Sequence, residues 1–475
     1  MKKNIKWLLL VSLSFVACNN NDDETVTELP VTPGFANFAK YVALGDSFAA
    51  GYSDGALFKK GQENSYPNIL AGQFAQVGGG AFNTPFMADN VGGFAGSSVY
   101  TPRLYFNGSG PASVAMPPYN QVATTSQSAH LSGSFNNMGI PGAKSFHLLA
   151  AGYGSSAGNP YFARFASAPM ATVIADALAQ NPTFFSLWIG GNDVLGYATT
   201  GGDGTNPITP TTGAPGVGFD GTYNALASQL ATGGRKGVVA NLPYVNTLPF
   251  FTTVGYNPVP LVAAQVSALN SGYAAYNGGL VAAKNLGYIT EAERLQRTIN
   301  FTVGKNAVVI IDEYLTDITP VNAGLIKMRQ ATSADYVLLS SQGVSAQSYL
   351  AAGNGTAAPL QDRWVLSKNE IAELKTATDA YNATIEAAAN TNGLAFVDAK
   401  SIMNQLVNGG IRFGNYHMTA QYVTGGAFSL DGVHPSARGY ALIANKFLEA
   451  INAKYGSTFK PVDLGTYPIQ YPASF

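Results

Sequence analysis

Two short segments, far apart in the chain, contain side chains that could perform nucleophilic catalysis. Ser47 lies in Gly45-Asp46-Ser47, directly after the apolar run 41–44, and His434 lies in residues 431–435, whose sequence is Asp-Gly-Val-His-Pro. A serine hydroxyl is a poor nucleophile at neutral pH, so it needs a neighbouring base, and the base needs a third group that holds it in the correct tautomer. Ser47 and His434 are therefore the first two candidates for a catalytic triad.

The third candidate is Asp431, which lies close enough to His434 to share one loop with it. Its carboxylate can accept a hydrogen bond from the imidazole while the other ring nitrogen faces Ser47. Asp before Gly432 is also a common turn former, and that interpretation stays open. The context of the histidine favours the triad, because only His434 among the 4 histidines lies in an Asp-x-x-His-Pro sequence; the others are His130, His147 and His417.

Two further motifs lie between these segments, Asn137-Met138-Gly139-Ile140-Pro141-Gly142 and Gly190-Gly191-Asn192-Asp193. In this order the four motifs resemble those of the SGNH, or GDSL, family of esterases and lipases, with Phe48 in place of the leucine of the family's name. The resemblance covers about residues 38–150, 180–245 and 366–453. It implies a three-layer α/β/α sandwich with a flavodoxin-like parallel sheet. It also implies hydrolysis of carboxylic esters through an acyl-enzyme, without a metal or a cofactor.

The same resemblance implies an oxyanion hole formed by the backbone N–H of Ser47, the backbone N–H of Gly142 and the side-chain amide of Asn192. Acyl transfer needs two or three such donors, and the loss of one typically raises the activation free energy by ~2.7 to 4 kcal/mol. Gly142 has no Cβ to block a close approach. Asn192 follows an apolar run that is predicted to be a strand. In α/β sheets, ligands bind at the carboxyl ends of the strands. Either residue could instead belong to an ordinary turn.

Four other polar residues near the motifs are assigned supporting roles or none. Asp46 and Asp193 are expected to stabilise their loops by hydrogen bonds. Ser53 and Ser156 each lie in a Gly-x-Ser-x-Gly sequence, which is typical of the nucleophile elbow of α/β-hydrolases. That elbow needs an apolar strand directly before it and a helix after it, and neither serine has this context, so neither is expected to be the nucleophile.

The N-terminal residues predict export and lipidation. Residues 1–17 combine a charged start with a short apolar core, as in a signal peptide, and the core is too short for a membrane span of ~20 residues. Cys18, the only cysteine, excludes disulfides and resembles the lipidated cysteine of a bacterial lipobox; an ordinary cleavage site is the alternative. Residues 18–36 form a polar tether similar to that of Bacteroidetes surface lipoproteins. We therefore expect a lipid-anchored protein of the outer membrane, periplasmic or surface-exposed.

The bulk composition favours one large domain with a weakly charged surface. Charged residues make up 11% of the 475 residues, against a usual share of roughly 25%. The formal net charge of −1 gives no electrostatic case for binding nucleic acid. If Ser47 and His434 belong to one active site, residues 37–475 form a single domain.

The apolar pattern of that domain predicts a parallel sheet that is buried on both faces, with helices between its strands. Strands are predicted at 41–44, 184–189, 237–242, 307–311 and 394–397. A capping-box sequence at 367–370 predicts the start of a helix that runs to Ala389, and the last helix is predicted at 437–453. Two long stretches do not fit a minimal α/β/α sandwich. They are residues 79–134, named here the first insertion, and residues 244–366, the second insertion.

The insertions are rich in Tyr, Phe and Leu, which favours an apolar acyl pocket and hence acyl esters of lipids or small amphiphiles. The second insertion is expected to cover the strand ends that carry Ser47 and Asn192. A carbohydrate O-acetyl esterase is the alternative, because aromatic rings also stack on sugars. A non-catalytic glycan- or lipid-binding lipoprotein is a further alternative, but it would be expected to lack one of the four motif residues Ser47, Asn192, Asp431 and His434, and all four are present.

Overall fold

Five parallel strands form the central sheet of the computed structural model, which describes residues 30–339 and 353–475. The strands are β1 (Tyr41–Gly45), β2 (Asn137–Gly139), β3 (Phe184–Trp188), β4 (Lys236–Ala240) and β5 (Ala395–Val397). Their order across the sheet is β2-β1-β3-β4-β5, and every neighbouring pair is parallel. This is the flavodoxin-like order, in which ligands bind at the carboxyl ends of the strands on either side of the point where the order reverses.

The described residues form thirteen α-helices. They are α1 (Ser47–Ala50), α2 (Lys59–Glu63), α3 (Tyr66–Phe74), α4 (Pro160–Ala163), α5 (Val173–Ala179), α6 (Asn192–Thr199), α7 (Phe219–Ala231), α8 (Pro249–Thr252), α9 (Ala263–Asn285), α10 (Glu291–Arg297), α11 (Lys368–Thr391), α12 (Ala399–Val407) and α13 (Ala437–Tyr455). Helices α8, α9 and α10 lie in the second insertion, and others flank the sheet. Helix α13 packs against α3, and α11 packs against α6 and α7. The three-layer α/β/α prediction is confirmed.

Close packing at β1 explains two glycines of the sequence motifs. A Cβ at Gly45 would lie 2.6 Å from the carbonyl oxygen of Trp188 on β3. A Cβ at Gly139 on β2 would lie 2.2 Å from the backbone nitrogen of Ala50 on α1. Because both approaches are too close for any side chain, these glycines allow α1 to fold back directly over the ends of β1 and β2.

Four of the five predicted strands are confirmed, and one is wrong. The run 307–311 does not join the sheet: Val309–Ile311 pairs in antiparallel fashion with Met328–Gln330 inside the second insertion. Strand β2 was not predicted, because its sequence Asn-Met-Gly is short and has little apolar character. The predicted helices at 368–389 and 437–453 are confirmed, and the Glu370 carboxylate accepts a hydrogen bond from the backbone N–H of Ser367 at 2.6 Å.

Small antiparallel pairs occur outside the sheet. They are Leu104–Phe106 with Pro111–Ser113, Val259–Leu261 with Gly304–Asn306, Val309–Ile311 with Met328–Gln330, Tyr336–Val337 with Val365–Leu366, and Ile411–Phe413 with Tyr416–Met418. The first of these pairs lies in the first insertion and the next three lie in the second.

Residues Thr32–Phe475 group into one compact unit. The predicted signal peptide at 1–17, the predicted lipidation site Cys18 and most of the tether at 18–36 lie outside the described residues.

Candidate active site

Ser47 is the first residue of α1 and directly follows the strand β1 and Asp46. The Asp46 carboxylate caps this helix, because its Oδ1 accepts a hydrogen bond from the backbone N–H of Phe48 at 3.0 Å. The short connection therefore fixes the serine at the carboxyl end of a sheet strand and at a helix N-terminus. Free backbone N–H groups at such an end favour negative charge.

The three predicted triad residues form one hydrogen-bonded chain. Nε2 of His434 lies 2.8 Å from Oγ of Ser47, and Nδ1 of the same ring lies 2.8 Å from Oδ2 of Asp431. The Ser47 and Asp431 residues are 6% exposed, and the imidazole is 14% exposed. This arrangement matches the geometry in which a carboxylate orients an imidazole and the imidazole takes the serine proton.

Asp431 also holds its own loop, so the turn-forming role and the triad role are combined in one carboxylate. Its Oδ1 accepts hydrogen bonds from the backbone N–H groups of Val433 and His434, each at 2.8 Å. Its Oδ2 accepts a further bond from the backbone N–H of Gly55 at 2.9 Å. Burial alone raises the pKa of Asp431, but the facing His434 and these N–H groups lower it, and the net pKa lies below the ordinary value. The carboxylate is therefore ionised and accepts from the imidazole.

The segment containing Ser53 supports the histidine loop rather than supplying a nucleophile. Oγ of Ser53 donates to the carbonyl of Pro435 at 3.1 Å. The neighbouring Asp54 accepts from the backbone N–H of Leu430 at 3.0 Å, while its own N–H donates to Oγ of Ser429 at 2.9 Å. Sequence reasoning missed this scaffold, because its partners lie about 375 residues apart. The other serine in a Gly-x-Ser-x-Gly sequence, Ser156, lies in an exposed turn. Neither serine therefore takes the place of Ser47.

The three predicted oxyanion donors belong to Ser47, Gly142 and Asn192. These residues line one cleft together with His434. Nδ2 of Asn192 donates to the carbonyl of Ala143 at 3.0 Å, which fixes the amide and leaves its second proton free. Within the described ranges, the backbone N–H groups of Ser47 and Gly142 donate to no other group. The site thus presents three N–H donors beside the serine hydroxyl.

The backbone conformation of Gly142 gives a reason of its own for a glycine at this position. A Cβ at this position would meet no protein atom within 4 Å. Its φ is +79°, which lies in the left-handed region that favours glycine. The backbone conformation of the turn therefore selects glycine here and directs its N–H group.

Asp193 and Asp46 have the supporting role that the sequence predicted. The Asp193 carboxylate accepts from the backbone N–H of Ser145 at 2.8 Å and from its Oγ at 2.7 Å, which ties the Asn192 loop to the turn after Gly142. Burial raises the pKa of Asp193 above its ordinary value and raises that of Asp46 to about 7. These carboxyl groups lie behind the reacting atoms and shape the loops that present them.

The cleft has a volume of about 520 Å³ and opens over the triad. It is lined by Ser47, Tyr52, Tyr100, Pro141, Gly142, His147, Tyr153, Gly158, Asn159, Pro160, Tyr161, Asn192, Leu195 and His434. Tyr100 belongs to the first insertion. No described residue of the second insertion lines the cleft, so the expected cover over Ser47 and Asn192 is not found in the described part of that segment.

The second insertion instead contacts the outside of the histidine loop. The backbone N–H of Phe250 on α8 donates to the carbonyl of Gly432 at 2.9 Å. Its own hydrophobic residues pack mainly on one another, for the cluster around Leu280 and Ile299 draws its members from residues 259–328 alone. A segment that buries its apolar side chains in its own core has few left to line an acyl pocket.

The other histidines divide into two structural ones and one at the site. Nε2 of His130 bonds to the carbonyl of Ala166 at 2.9 Å, and Nε2 of His417 bonds to that of Gly409 at 2.7 Å. His147 lines the cleft, and sequence reasoning missed it because no motif marks it.

Residues 30–339 and 353–475 contain no group of three or more His, Cys, Asp or Glu placed to hold a metal ion. In the same ranges, no helix has the length and apolar character that a membrane span requires.

Comparison with known proteins gives structural similarities alone. No family model matches the chain, and no curated protein sequence matches it. LAE5, an alpha/beta hydrolase from the metagenome of Lake Arreo, aligns at 12% identity and a TM-score of 0.35 over 88% of this chain and 97% of its own. An acetyl xylan esterase variant from Geobacillus stearothermophilus aligns at 11% identity and a TM-score of 0.35 over 90% and 99%. An extracellular lipase from Streptomyces rimosus aligns at 14% and 0.30 over 87% and 98%.

Proposed function

We propose that this protein is a serine esterase that hydrolyses carboxylic esters through an acyl-enzyme. The observation that supports this most strongly is the continuous chain from Asp431 through His434 to Oγ of Ser47, with both contacts at 2.8 Å. The three oxyanion donors in the same cleft, and the SGNH-like order of the motifs in the sequence, support the same proposal. A protein that only bound ligands would need neither the aligned triad nor the free N–H groups.

In the acylation step, Oγ of Ser47 attacks the ester carbonyl carbon while Nε2 of His434 takes its proton. The ionised Asp431 stabilises the imidazolium that forms and holds its orientation. Negative charge develops on the carbonyl oxygen and is stabilised by the N–H groups of Ser47 and Gly142 and by the Asn192 amide. His434 then donates the proton to the leaving alcohol oxygen, and the carbon–oxygen bond breaks.

In the deacylation step, water takes the place of the departed alcohol. Nε2 of His434 removes a proton from this water, and the resulting hydroxide attacks the acyl carbon bound to Ser47. The same donors stabilise the second oxyanion. Collapse of this intermediate returns the proton from His434 to Ser47 and releases the carboxylic acid, so the enzyme ends each cycle in its starting state.

The substitution Ser47→Ala tests the proposal directly. We expect hydrolysis of p-nitrophenyl acetate to fall by several orders of magnitude, because the hydroxyl performs the chemistry. The melting temperature should change little, since only one oxygen atom is removed. The matched control is Ser156→Ala, which removes an exposed hydroxyl and should keep the wild-type rate. Near wild-type turnover by Ser47→Ala would contradict the assignment and transfer the search for a nucleophile to Ser53 or Ser156.

The location of the protein is proposed from residues 1–36 of the sequence only. We propose that Cys18 is lipidated and anchors the enzyme in the outer membrane of its host. Cell fractionation of a Cys18→Ser variant tests this, because loss of the anchor should release an active soluble enzyme. A wild-type chain recovered wholly in the soluble fraction would contradict it.

A further inference from the structure

The cleft beside the triad is lined by aromatic rings and uncharged polar groups. Its walls contain four tyrosines and one histidine outside the triad, namely Tyr52, Tyr100, Tyr153, Tyr161 and His147. Leu195 is the only aliphatic side chain other than the prolines among the described lining residues, and none of them is Asp, Glu, Lys or Arg. Tyr161 is 3% exposed and its ring packs on that of Phe94 with a centroid separation of 4.9 Å, so the ring surface open to a ligand belongs to Tyr52, Tyr100, Tyr153 and His147.

His147 is held as a neutral hydrogen-bond donor. Its Nδ1 accepts a hydrogen bond from the backbone N–H of Lys144 at 3.0 Å, so the ring proton of the neutral form is on Nε2. Burial, with a contribution from the Lys144 charge, lowers the pKa of His147 to about 4. Nε2 has no partner in the described part of the chain and is not enclosed by protein. At neutral pH the cleft therefore contains an unused N–H donor.

Tyr153 provides a second neutral donor and a ring face. Its ring stacks on that of His147 with a centroid separation of 4.4 Å and an interplanar angle of 8°. Its hydroxyl oxygen accepts from Nδ2 of Asn159 at 3.0 Å, which leaves the hydroxyl proton free to donate outward. The same Asn159 amide donates to the carbonyl of Pro141 at 2.9 Å, so the pair is fixed relative to the oxyanion turn. Burial raises the pKa of Tyr153, which keeps the hydroxyl protonated.

We propose that the His147–Tyr153 pair and the surrounding tyrosines form a subsite for a neutral sugar ring, which is the alcohol part of the ester, and that the acyl group is short. This inference rests on the proposed esterase activity of Ser47. Ring faces pack against the C–H faces of a sugar, as amphipathic aromatics do at binding surfaces, and the two neutral donors pair with sugar oxygens without a charged group.

The lining argues against a long acyl chain as the preferred substrate. A long acyl chain gains most where purely apolar side chains bury it, whereas the described lining has Leu195 as its one aliphatic side chain apart from the prolines, and its rings carry hydroxyl or N–H groups. An apolar cavity of about 60 Å³ does lie nearby, bordered by Phe48 and Pro435, but neither Ser47 nor His434 lines it. Among the described residues, the surface beside Ser47 is therefore aromatic and neutral polar, and the purely apolar cavity lies away from it.

Three substrates separate this inference from the proposed function. The full chain is assayed with p-nitrophenyl acetate, p-nitrophenyl octanoate and acetylated xylo-oligosaccharides. We expect hydrolysis of the acetate, a kcat/KM on the octanoate at least tenfold lower, and release of acetate from the oligosaccharides. Hydrolysis of the p-nitrophenyl esters with the octanoate preferred, and none of the oligosaccharides, would overturn the sugar subsite while supporting the esterase. No hydrolysis of any ester would overturn the proposed function itself.

Variants of the pair test the residues that we assign. His147→Asn keeps an acceptor for the Lys144 N–H and removes the outer donor, and Tyr153→Phe keeps the ring and removes the hydroxyl. For each we expect KM on the acetylated oligosaccharide to rise roughly 3- to 10-fold, as for one lost hydrogen bond, with a much smaller change in kcat. Tyr153→Leu removes the ring face and should raise KM further.

The matched control for these variants is Tyr288→Phe, because Tyr288 is 52% exposed in the second insertion and lies outside the cleft. It should leave the oligosaccharide KM unchanged. Equal losses of kcat/KM on p-nitrophenyl acetate and on the oligosaccharide in the His147 and Tyr153 variants would show a purely structural role and overturn the assignment.

Discussion

The two long insertions relate to the active site in opposite ways. The first insertion packs Met87 and Phe94 against Ala50 of α1, the helix that begins with the nucleophile, and its Tyr100 lines the cleft. The second insertion has its own hydrophobic cluster, with Tyr273 and Tyr276 on α9, and it lines no part of the cleft with a described residue. Both segments are long and contain aromatic residues along their length, so neither length nor composition predicts their different positions.

The difference lies in where each segment buries its apolar side chains. A segment with its own core is stabilised largely by contacts within itself. A segment without one is ordered by packing on the rest of the domain, and here the packing surface includes α1, which begins with Ser47, and the C-terminal residues Pro472 and Ala473. We therefore expect substitutions in the second insertion to change stability and substitutions around the cleft to change catalysis.

The largest expected effect concerns a buried ion-pair cluster in the second insertion. Arg329 is 1% exposed and contacts Asp312 at 2.5 Å and Asp335 at 2.7 Å. The substitution Arg329→Met leaves two buried carboxylates without their cation, which should lower the free energy of unfolding by about 3 to 5 kcal/mol. Chemical denaturation measures this loss, and kcat/KM on p-nitrophenyl acetate below the unfolding transition should stay within a few-fold of wild type.

The control for that experiment is Arg294→Met, which breaks an exposed pair with Glu291 on α10 and should cause little change in stability. If Arg329→Met left the free energy of unfolding unchanged but abolished turnover, the second insertion would be coupled to the site and the contrast between the two insertions would be wrong.

The converse result is expected in the cleft. Asn192→Ala removes one oxyanion donor and should lower kcat by about 10²- to 10³-fold. The free energy of unfolding should change little, because within residues 30–339 and 353–475 the amide makes a single hydrogen bond, to the carbonyl of Ala143. Asn322→Ala, an exposed asparagine of the second insertion, is the matched control and should keep the wild-type kcat. A lower melting temperature with unchanged kcat would make Asn192 a turn residue and place the donor elsewhere.

Particular buried carboxyl groups in the two regions also differ in their pKa. Burial raises the pKa of Asp46 and of Asp54, beside the triad, to about 7. In the second insertion, burial alone would raise the pKa of Asp335, but Arg329 lowers it and the net pKa lies below the ordinary value. Asp46 and Asp54 therefore change charge around neutral pH, whereas Asp335 remains ionised until the medium is strongly acidic.

This difference predicts the pH dependence of stability. The raised pKa of Asp54 means that the folded state binds more protons than the unfolded state between the ordinary pKa of 3.8 and about 7. The free energy of unfolding should therefore fall as pH rises through that window, by up to ~1.4 kcal/mol per pH unit for each such group. Asp335, with its lowered pKa, contributes stability that is present above 3.8 and lost only below it.

Denaturation curves of wild type and Asp54→Asn between pH 5 and 7 measure the effect of this one carboxyl group. We expect a shallower fall in the variant, which lacks the titrating group. Parallel slopes in the two proteins would show that Asp54 does not exchange a proton in this range.

The triad and most of the sheet could be predicted from the sequence because their determinants are local. Ser47 follows a buried apolar run, and Asp431 and His434 share one loop, so each motif contains its own evidence. The prediction that residues 307–311 form a strand of the central sheet is wrong. Val309 and Ile310 are fully buried in a small antiparallel pair, which has the same apolar pattern as a central strand.

The rest of the site depends on contacts that no local pattern records. Asp54 supports the histidine loop across about 376 residues of sequence, and its pairing follows from the tertiary fold alone. His147 became a candidate only when the structure brought its ring onto Tyr153 and beside the oxyanion turn. The aromatic content of the second insertion likewise does not reveal from sequence that its described residues pack into an internal core rather than along the cleft.

The smallest expected effect tests that internal core through two neighbouring glycines of α9. A Cβ at Gly278 would meet no atom within 4 Å, whereas a Cβ at Gly279 would lie 2.6 Å from Cδ2 of the buried Leu325. Gly278→Ala should therefore raise the free energy of unfolding by about 0.5 to 1 kcal/mol through helix propensity alone. Gly279→Ala should gain less or lose stability, because Leu325 must move within the cluster to admit the methyl group. Denaturation of the two variants in parallel measures the difference, and kcat on p-nitrophenyl acetate should be unchanged in both. Equal gains in stability would show that α9 does not pack tightly on Leu325, and the second insertion would then lack the self-contained core that separates it from the first.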